Sequence, residues 1–133
     1  MIVAGFGFRA CADAAALQAA LEAALRTSGC PATALVALAS ADDKIDALLP
    51  LARERGLGLI GLTPATLEAE TTLTRSPASL KARRTGSLSE ASALAGARQL
   101  SGPARLLAPR VLSPCGMASC ALALSPSPSG ETR

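Results

Sequence analysis

Apolar positions in the first third of the chain fall into two alternating patterns. Ile2–Phe6 is a short, continuous apolar run broken by glycine, the mark of a buried strand. From Asp13 onward Leu17, Leu21 and Leu25 recur at helical spacing until Gly29, which predicts an amphipathic helix opened by Asp13 and closed by Gly29. Ala34–Ala39 predicts a second strand. Asp42 predicts the cap of a second helix with Ile45, Leu48, Leu49 and Ala52 on one face, ending near Gly56. Pro50 falls inside that helix and should kink or shorten it, because proline lacks the N–H and clashes with the preceding turn. Leu57–Leu62 predicts a third strand, and Thr63-Pro64 supplies an N-cap and a first helical residue.

Strand, helix, strand, helix, strand implies parallel pairing through right-handed crossovers. After Leu73 the rhythm changes. A short helix around Ala78–Arg83 precedes a capped helix over Leu88–Arg98. Two apolar stretches, Ala104–Ala108 and Ala118–Leu124, then flank a loop rich in proline and glycine and read as a closing strand pair. The expected class is α/β: three layers, with a mixed, mostly parallel sheet of about five strands and helices on both faces. Residues 1–124 are expected to form a single domain. Ser125–Arg133 offers no apolar anchor and is expected to be a disordered tail.

Composition narrows the packing and the chemistry. Hydrophobic residues make up 50% of the 133 positions, yet there are two Phe and no Trp or Tyr, so the core is built mainly of Ala and Leu and its layers can approach closely. No apolar window reaches the roughly 18 residues of a membrane span. Met1 leads directly into a strand pattern, so a signal peptide is not expected and the location is expected to be cytoplasmic. The net charge of +3 is mild and its cations are scattered, which argues against nucleic acid as a partner. The absence of His removes the commonest metal ligand and the usual general base. Cys11, Cys30, Cys115 and Cys120 lack metal-site spacing; Cys115 is distinguished by lying beside Gly116 in the proline-containing loop. Neither a metal nor a cofactor is expected.

Candidate chemistry concentrates between Thr74 and Ala97. Ser87 and Glu90 form a capping box, in which the Ser87 hydroxyl accepts from the Glu90 N–H and the Glu90 carboxylate returns to the Ser87 N–H. Ser76, Thr85, Gly86 and Ser87, with the cations Arg75, Lys81, Arg83 and Arg84, gather around this helix N-terminus, a setting suited to ligand carboxylates. Each hydroxyl serves a turn or cap equally well. Gly5 and Gly7 after the first strand leave room for a ligand at the backbone, or simply make a tight turn. Arg9 and Lys44 are the candidate carboxylate-binding cations, with Ser40 beside them after the second strand. Asp42, Asp43 and Asp46 suit a helix start. Asp46 and Glu90 are the candidate general bases, and Arg110 and Ser113 are further candidates in the late loop. Gly5-Phe6-Gly7-Phe8-Arg9-Ala10 also fits a dinucleotide-binding variant, but the acidic residue that should end the next strand is missing there.

The pattern from Ser76-Pro77 through Thr85-Gly86 to Glu90-Ala91 resembles the cobalamin-biosynthesis family of CobE and the C-terminal domain of the cobalt-precorrin hydrolase CbiG. Ile2–Arg9 is similar to that family's opening strand and its G-x-G-C-R loop. Ala39–Leu48 is similar to its T-x-x-x-K-x-x-E-x-x-L segment. Phe8 stands where the family has Cys, so thiol chemistry at that position is absent; Asp46 stands for Glu and Ser40 for Thr. The resemblance implies a role in cobalamin (porphyrin-type tetrapyrrole) biosynthesis, with a precorrin or other corrin-ring intermediate as ligand and other enzymes of the pathway as candidate partners. In open α/β sheets ligands bind beyond the carboxyl ends of the strands, where these blocks fall. Two activities stay open. One is binding or carriage of the macrocycle. The other is a hydrolase-type opening of a lactone on it, with release of a two-carbon fragment and with Glu90 or Asp46 as base.

Overall fold

Local chemistry sets the boundaries of most elements. In the computed structural model, which describes residues 1–8, 13–70 and 87–125, strand β1 spans Ile2–Phe8 and helix α1 spans Ala14–Ser28. The Asp13 side chain accepts the Ala16 N–H at 2.9 Å, and Gly29 closes the helix in the left-handed region at φ 68°. Strand β2 covers Leu35–Ala41. The expected second helix is divided: a 3-10 helix over Ile45–Leu48 comes first, then α2 over Leu49–Arg55 with Pro50 in its first turn. The proline shortens the α-helix by starting it, since an early position does not need its N–H. Asp42 does not cap this helix as expected. It lies in the preceding turn, its backbone N–H bonded to Leu62 O at 2.9 Å, and Lys44 holds the N-cap position with no side-chain cap bond.

Strand β3 (Gly58–Leu62) leads into α3 (Pro64–Glu68), capped by Thr63. Helix α4 (Leu88–Ser101) is capped by Ser87. Of the closing strands, β6 (Ala118–Leu124) matches expectation, β4 shrinks to Arg105–Leu106, and an additional short strand, β5 (Val111–Leu112), pairs with β6. Ser125 is not loose: its N–H and carbonyl exchange 2.9 Å bonds with Met1 and so prolong the ladder. The short helix expected around Ala78–Arg83, together with Arg9, Cys11, Arg75, Ser76, Thr85, Gly86 and the tail beyond Ser125, lies outside the described residues.

The sheet is mixed, in the order β3-β2-β1-β6-β4, with β5 also against β6. β1, β2 and β3 are parallel, whereas β6 runs antiparallel to β1, β4 and β5. Alternate residues of a strand face opposite sides. Ile2, Ala4 and Phe6 join a core with α1 and α2, while Val3 joins a second core with α3 and α4. Helices therefore cover both faces. No helix among the described residues is long and apolar enough to cross a membrane.

The tightest contact lies between α4 and β1. A Cβ at Gly5 would collide with Ser89 O and Ala93 N and come within 2.9 Å of Ala93 Cα, all of them backbone atoms of α4. Gly7 is less confined: a Cβ there would lie 3.2 Å from Ser119 Oγ and 3.4 Å from Leu88 Cβ. Gly5→Ala must push the helix off the sheet and should cost roughly 3 kcal/mol, against about 1 kcal/mol for Gly7→Ala. Urea unfolding followed by far-ultraviolet circular dichroism measures both, and equal losses would contradict this packing.

Candidate functional site

The register Gly5↔Ala39 places the exits of β1 and β2 side by side, and the first turn of α4 lies over the exit of β1. Three of the segments singled out in the sequence thus meet at one end of the sheet. Lys44 reaches across from the β2 side. Its ammonium donates to the Phe8 carbonyl at 2.9 Å and sits 4.7 Å from the centroid of the Phe8 ring, a cation–π distance. Lys44 is half-buried, so its charge is fixed at the end of β1 rather than swinging in solvent.

A line of buried hydroxyls also runs along the last residues of β1. Ser119 Oγ lies 3.3 Å from Gly7 O and 3.2 Å from Ser89 Oγ, and Ser89 Oγ lies 3.2 Å from Ser87 Oγ. Ser87 Oγ in turn accepts the Glu90 N–H at 3.4 Å. This line ties β6, β1 and α4 together. Buried hydroxyls need such partners, because an unmet one costs about 1–3 kcal/mol. Ser119 was missed by sequence reasoning, although a lone serine in the apolar run Ala118–Leu124 is itself a sign of a buried, bonded hydroxyl.

The capping box forms only in part. Ser87 caps as expected, but the Glu90 carboxylate turns to another part of the fold: Oε2 accepts the Arg110 N–H at 2.8 Å. Glu90 is fully buried, whereas Asp46 is exposed in the first turn of the 3-10 helix, so the two candidate bases occupy opposite environments. Ser40 is also fully buried, and its hydroxyl donates to Phe6 O at 2.9 Å; the fold thus uses it to join β2 to β1. Gly5 is closed over by α4, so its lack of a side chain serves helix packing. Gly7 lies at the rim of the hydroxyl line. Of the remaining candidates, Arg9, Ser76, Thr85 and Gly86 fall outside the described residues.

The cysteines take separate environments. The exposed Cys115 thiol lies 3.3 Å from the Ser113 hydroxyl, whose hydrogen bond, aided by the Met117 backbone, holds it below the usual thiol range. Burial pushes Cys120 well above that range, and Cys30 is half-buried. The described residues contain no cluster of three or more metal-ligating side chains. An open cavity of about 460 Å³ lies at the far end of the sheet, bordered by Glu22, Arg26, Cys30 and Arg55. Arg26 and Arg55 each lie in the last turn of a helix, where they complement its dipole, and Arg55 is 3.6 Å from Glu22. That cavity is remote from the exit of β1.

Comparison with known proteins identifies the family. The family model described as "Cobalamin synthesis G C-terminus" matches residues 2–123. The crystal structure of CobE, a protein from the cobalamin biosynthetic pathway, is 36% identical over 92% of this chain and 89% of its own, with a TM-score of 0.85. The crystal structure of cobalamin biosynthesis protein chiG from Agrobacterium tumefaciens is 30% identical over 96% of this chain and 100% of its own, with a TM-score of 0.68. None of the curated proteins matches the sequence. With the family model spanning nearly all of β1 to β6, the chain belongs to the family of the cobalamin synthesis G C-terminus.

Proposed function

We propose that this protein binds a precorrin or other corrin-ring intermediate of cobalamin biosynthesis at the end of the sheet where β1 and β2 finish. The observation that carries the reading is the delivery of Lys44 onto the Phe8 carbonyl at the end of β1, a strand whose last residues are also covered by the first turn of α4. A fixed ammonium and a helix N-terminus both favour negative charge. Tetrapyrrole intermediates carry carboxylates around an apolar ring, so they suit a surface that supplies cations next to Phe8. Arg9, next in the chain after Phe8, is the second cation assigned to this role. The protein then holds or passes on a labile macrocycle, and the enzymes that make or consume that macrocycle are its protein partners.

The direct test is a visible-spectrum titration with a metal-free corrin whose side chains are free carboxylates, followed by gel filtration. The protein has no Trp or Tyr, so the pigment is read against a nearly blank near-ultraviolet background. The expected result is a band shift with pigment eluting alongside protein; pigment that elutes apart, with an unshifted spectrum, rejects the reading. Lys44→Ala combined with Arg9→Ala should weaken binding at least about tenfold, since each substitution removes a charge-assisted contact. Because Lys44 also bonds the Phe8 carbonyl, Lys44→Ala should in addition lower stability by about 1 kcal/mol in urea unfolding. Unchanged affinity in the double variant would move the site elsewhere.

A further inference from the structure

We infer that Arg110 is a ligand-facing cation of this same site and that Glu90 is the residue that positions it, an inference that rests on the tetrapyrrole-binding reading above. Glu90 is a fully buried carboxylate on the first turn of α4, and Oε2 receives the Arg110 backbone N–H at 2.8 Å. A buried carboxylate needs hydrogen-bond donors, and one of those it takes is the Arg110 backbone. The bond therefore fixes a particular piece of backbone, the turn between β4 and β5, against a particular helix end.

Placement makes Arg110 the arginine that matters. Arg26, Arg53 and Arg55 lie in the last turns of α1 and α2, and Arg98 is bound to Glu70 at 3.0 Å. Arg105 stands opposite Leu124, which itself pairs with Ile2 at the other end of β1. Arg110 is thus the arginine that, among the described residues, is tied to the first turn of α4. It is half-buried, and among the described residues its guanidinium has no acidic partner.

Topology gives the spacing. Lys44 approaches β1 from the β2 side, while Arg110 immediately precedes β5 on the β6 side. Leu112 pairs with Ser119, and Ser119 pairs with Gly7, so β5 belongs to the same end of the sheet as the hydroxyl line. The Lys44 ammonium rests on the Phe8 carbonyl at the end of β1, and two strand intervals separate β1 from β5, about 10 Å. A cation held at the end of β1 and a second one two strands away match separate carboxylates of one macrocycle rather than a single small anion. The geometry also gives Glu90 a role other than general base: it acts on the ligand through Arg110.

The test uses the intact chain and the metal-free corrin polycarboxylate, with the same corrin in fully amidated form as a control. Arg110→Ala should weaken binding of the polycarboxylate about tenfold, the loss expected for one charge-assisted contact, and should change binding of the amide by less than about twofold. Glu90→Ala should cause a similar loss in the unaltered background but less than about twofold further loss in the Arg110→Ala background. Glu90→Gln keeps an oxygen that can accept the Arg110 N–H, and should stay within about threefold of the unaltered protein. If Glu90→Ala fails to fold, Glu90→Gln and Arg110→Ala still decide the matter, because neither removes a buried acceptor. Unaltered affinity in Arg110→Ala overturns the inference and leaves the binding reading intact. Independent, multiplying losses for Glu90 and Arg110 overturn the positioning role. Absence of corrin binding by the unaltered protein overturns the underlying reading, and the inference with it.

Discussion

Helix α4 rests on strand β1 backbone to backbone at Gly5, where no side chain fits between Ser89 O, Ala93 N and the strand. The rest of the architecture accommodates that contact. Along the same helix a Cβ at Gly96 would come within 3.1 Å of both Ala39 Cβ and Val3 Cγ1, and Ala93 and Ala97 are fully buried. A sheet and a helix that meet so closely leave room for Ala and Leu but not for large rings, which accounts for a core nearly free of aromatics. The second face, under α1 and α2, is filled by larger residues such as Leu17, Leu21, Leu38 and Phe6. Two cores of different thickness therefore share one sheet.

Close approach has an electrostatic consequence. A helix drawn this tightly onto a strand brings its polar first turn inside the protein, where water cannot serve its hydroxyls. Ser87, Ser89 and Ser119 answer by bonding one another and the Gly7 carbonyl, each such bond contributing about 1 kcal/mol net. The same helix buries Ser92 Oγ with no partner among the described residues, an opposing cost of about 1–3 kcal/mol. The hydroxyl line is thus less a source of stability than the condition for keeping α4, β1 and β6 in one arrangement. That arrangement in turn sets where Gly7 and Phe8 emerge from the sheet.

Much of this frame was legible in the sequence because it rests on local rules. The apolar runs of β1, β2, β3 and β6 and the caps at Asp13, Gly29, Thr63 and Ser87 depend on residues within a few positions of one another. Pro50 was readable as a disruption, although the remedy, a 3-10 turn followed by a restarted helix, follows from its tolerance at a helix start. The site was less legible because its contacts are long-range. Lys44 and Phe8 are 36 residues apart, and Ser119 and Gly7 are 112 apart. Glu90 shows the limit of motif reading most clearly. The capping-box spacing offers its carboxylate a local donor, but the carboxylate accepts from the N–H of Arg110, 20 residues away. Ser40 and Gly5 suggested ligand contact by position, and the fold spends both internally, one on the Phe6 carbonyl and the other on helix packing.

Phe8 connects packing to chemistry. Its side chain packs against the core beneath α1, while its carbonyl and ring face receive the Lys44 ammonium. A thiol at this position would offer a nucleophile to a ligand at the exit of β1. A phenyl group offers none, and instead provides an apolar surface and an electron-rich face that holds a cation in place. The exit of β1 thereby presents a fixed ammonium on an aromatic ring rather than a thiol nucleophile. Covalent attack through a thiol is thus closed to this position, because the side chain that stands there is also the one on which Lys44 rests.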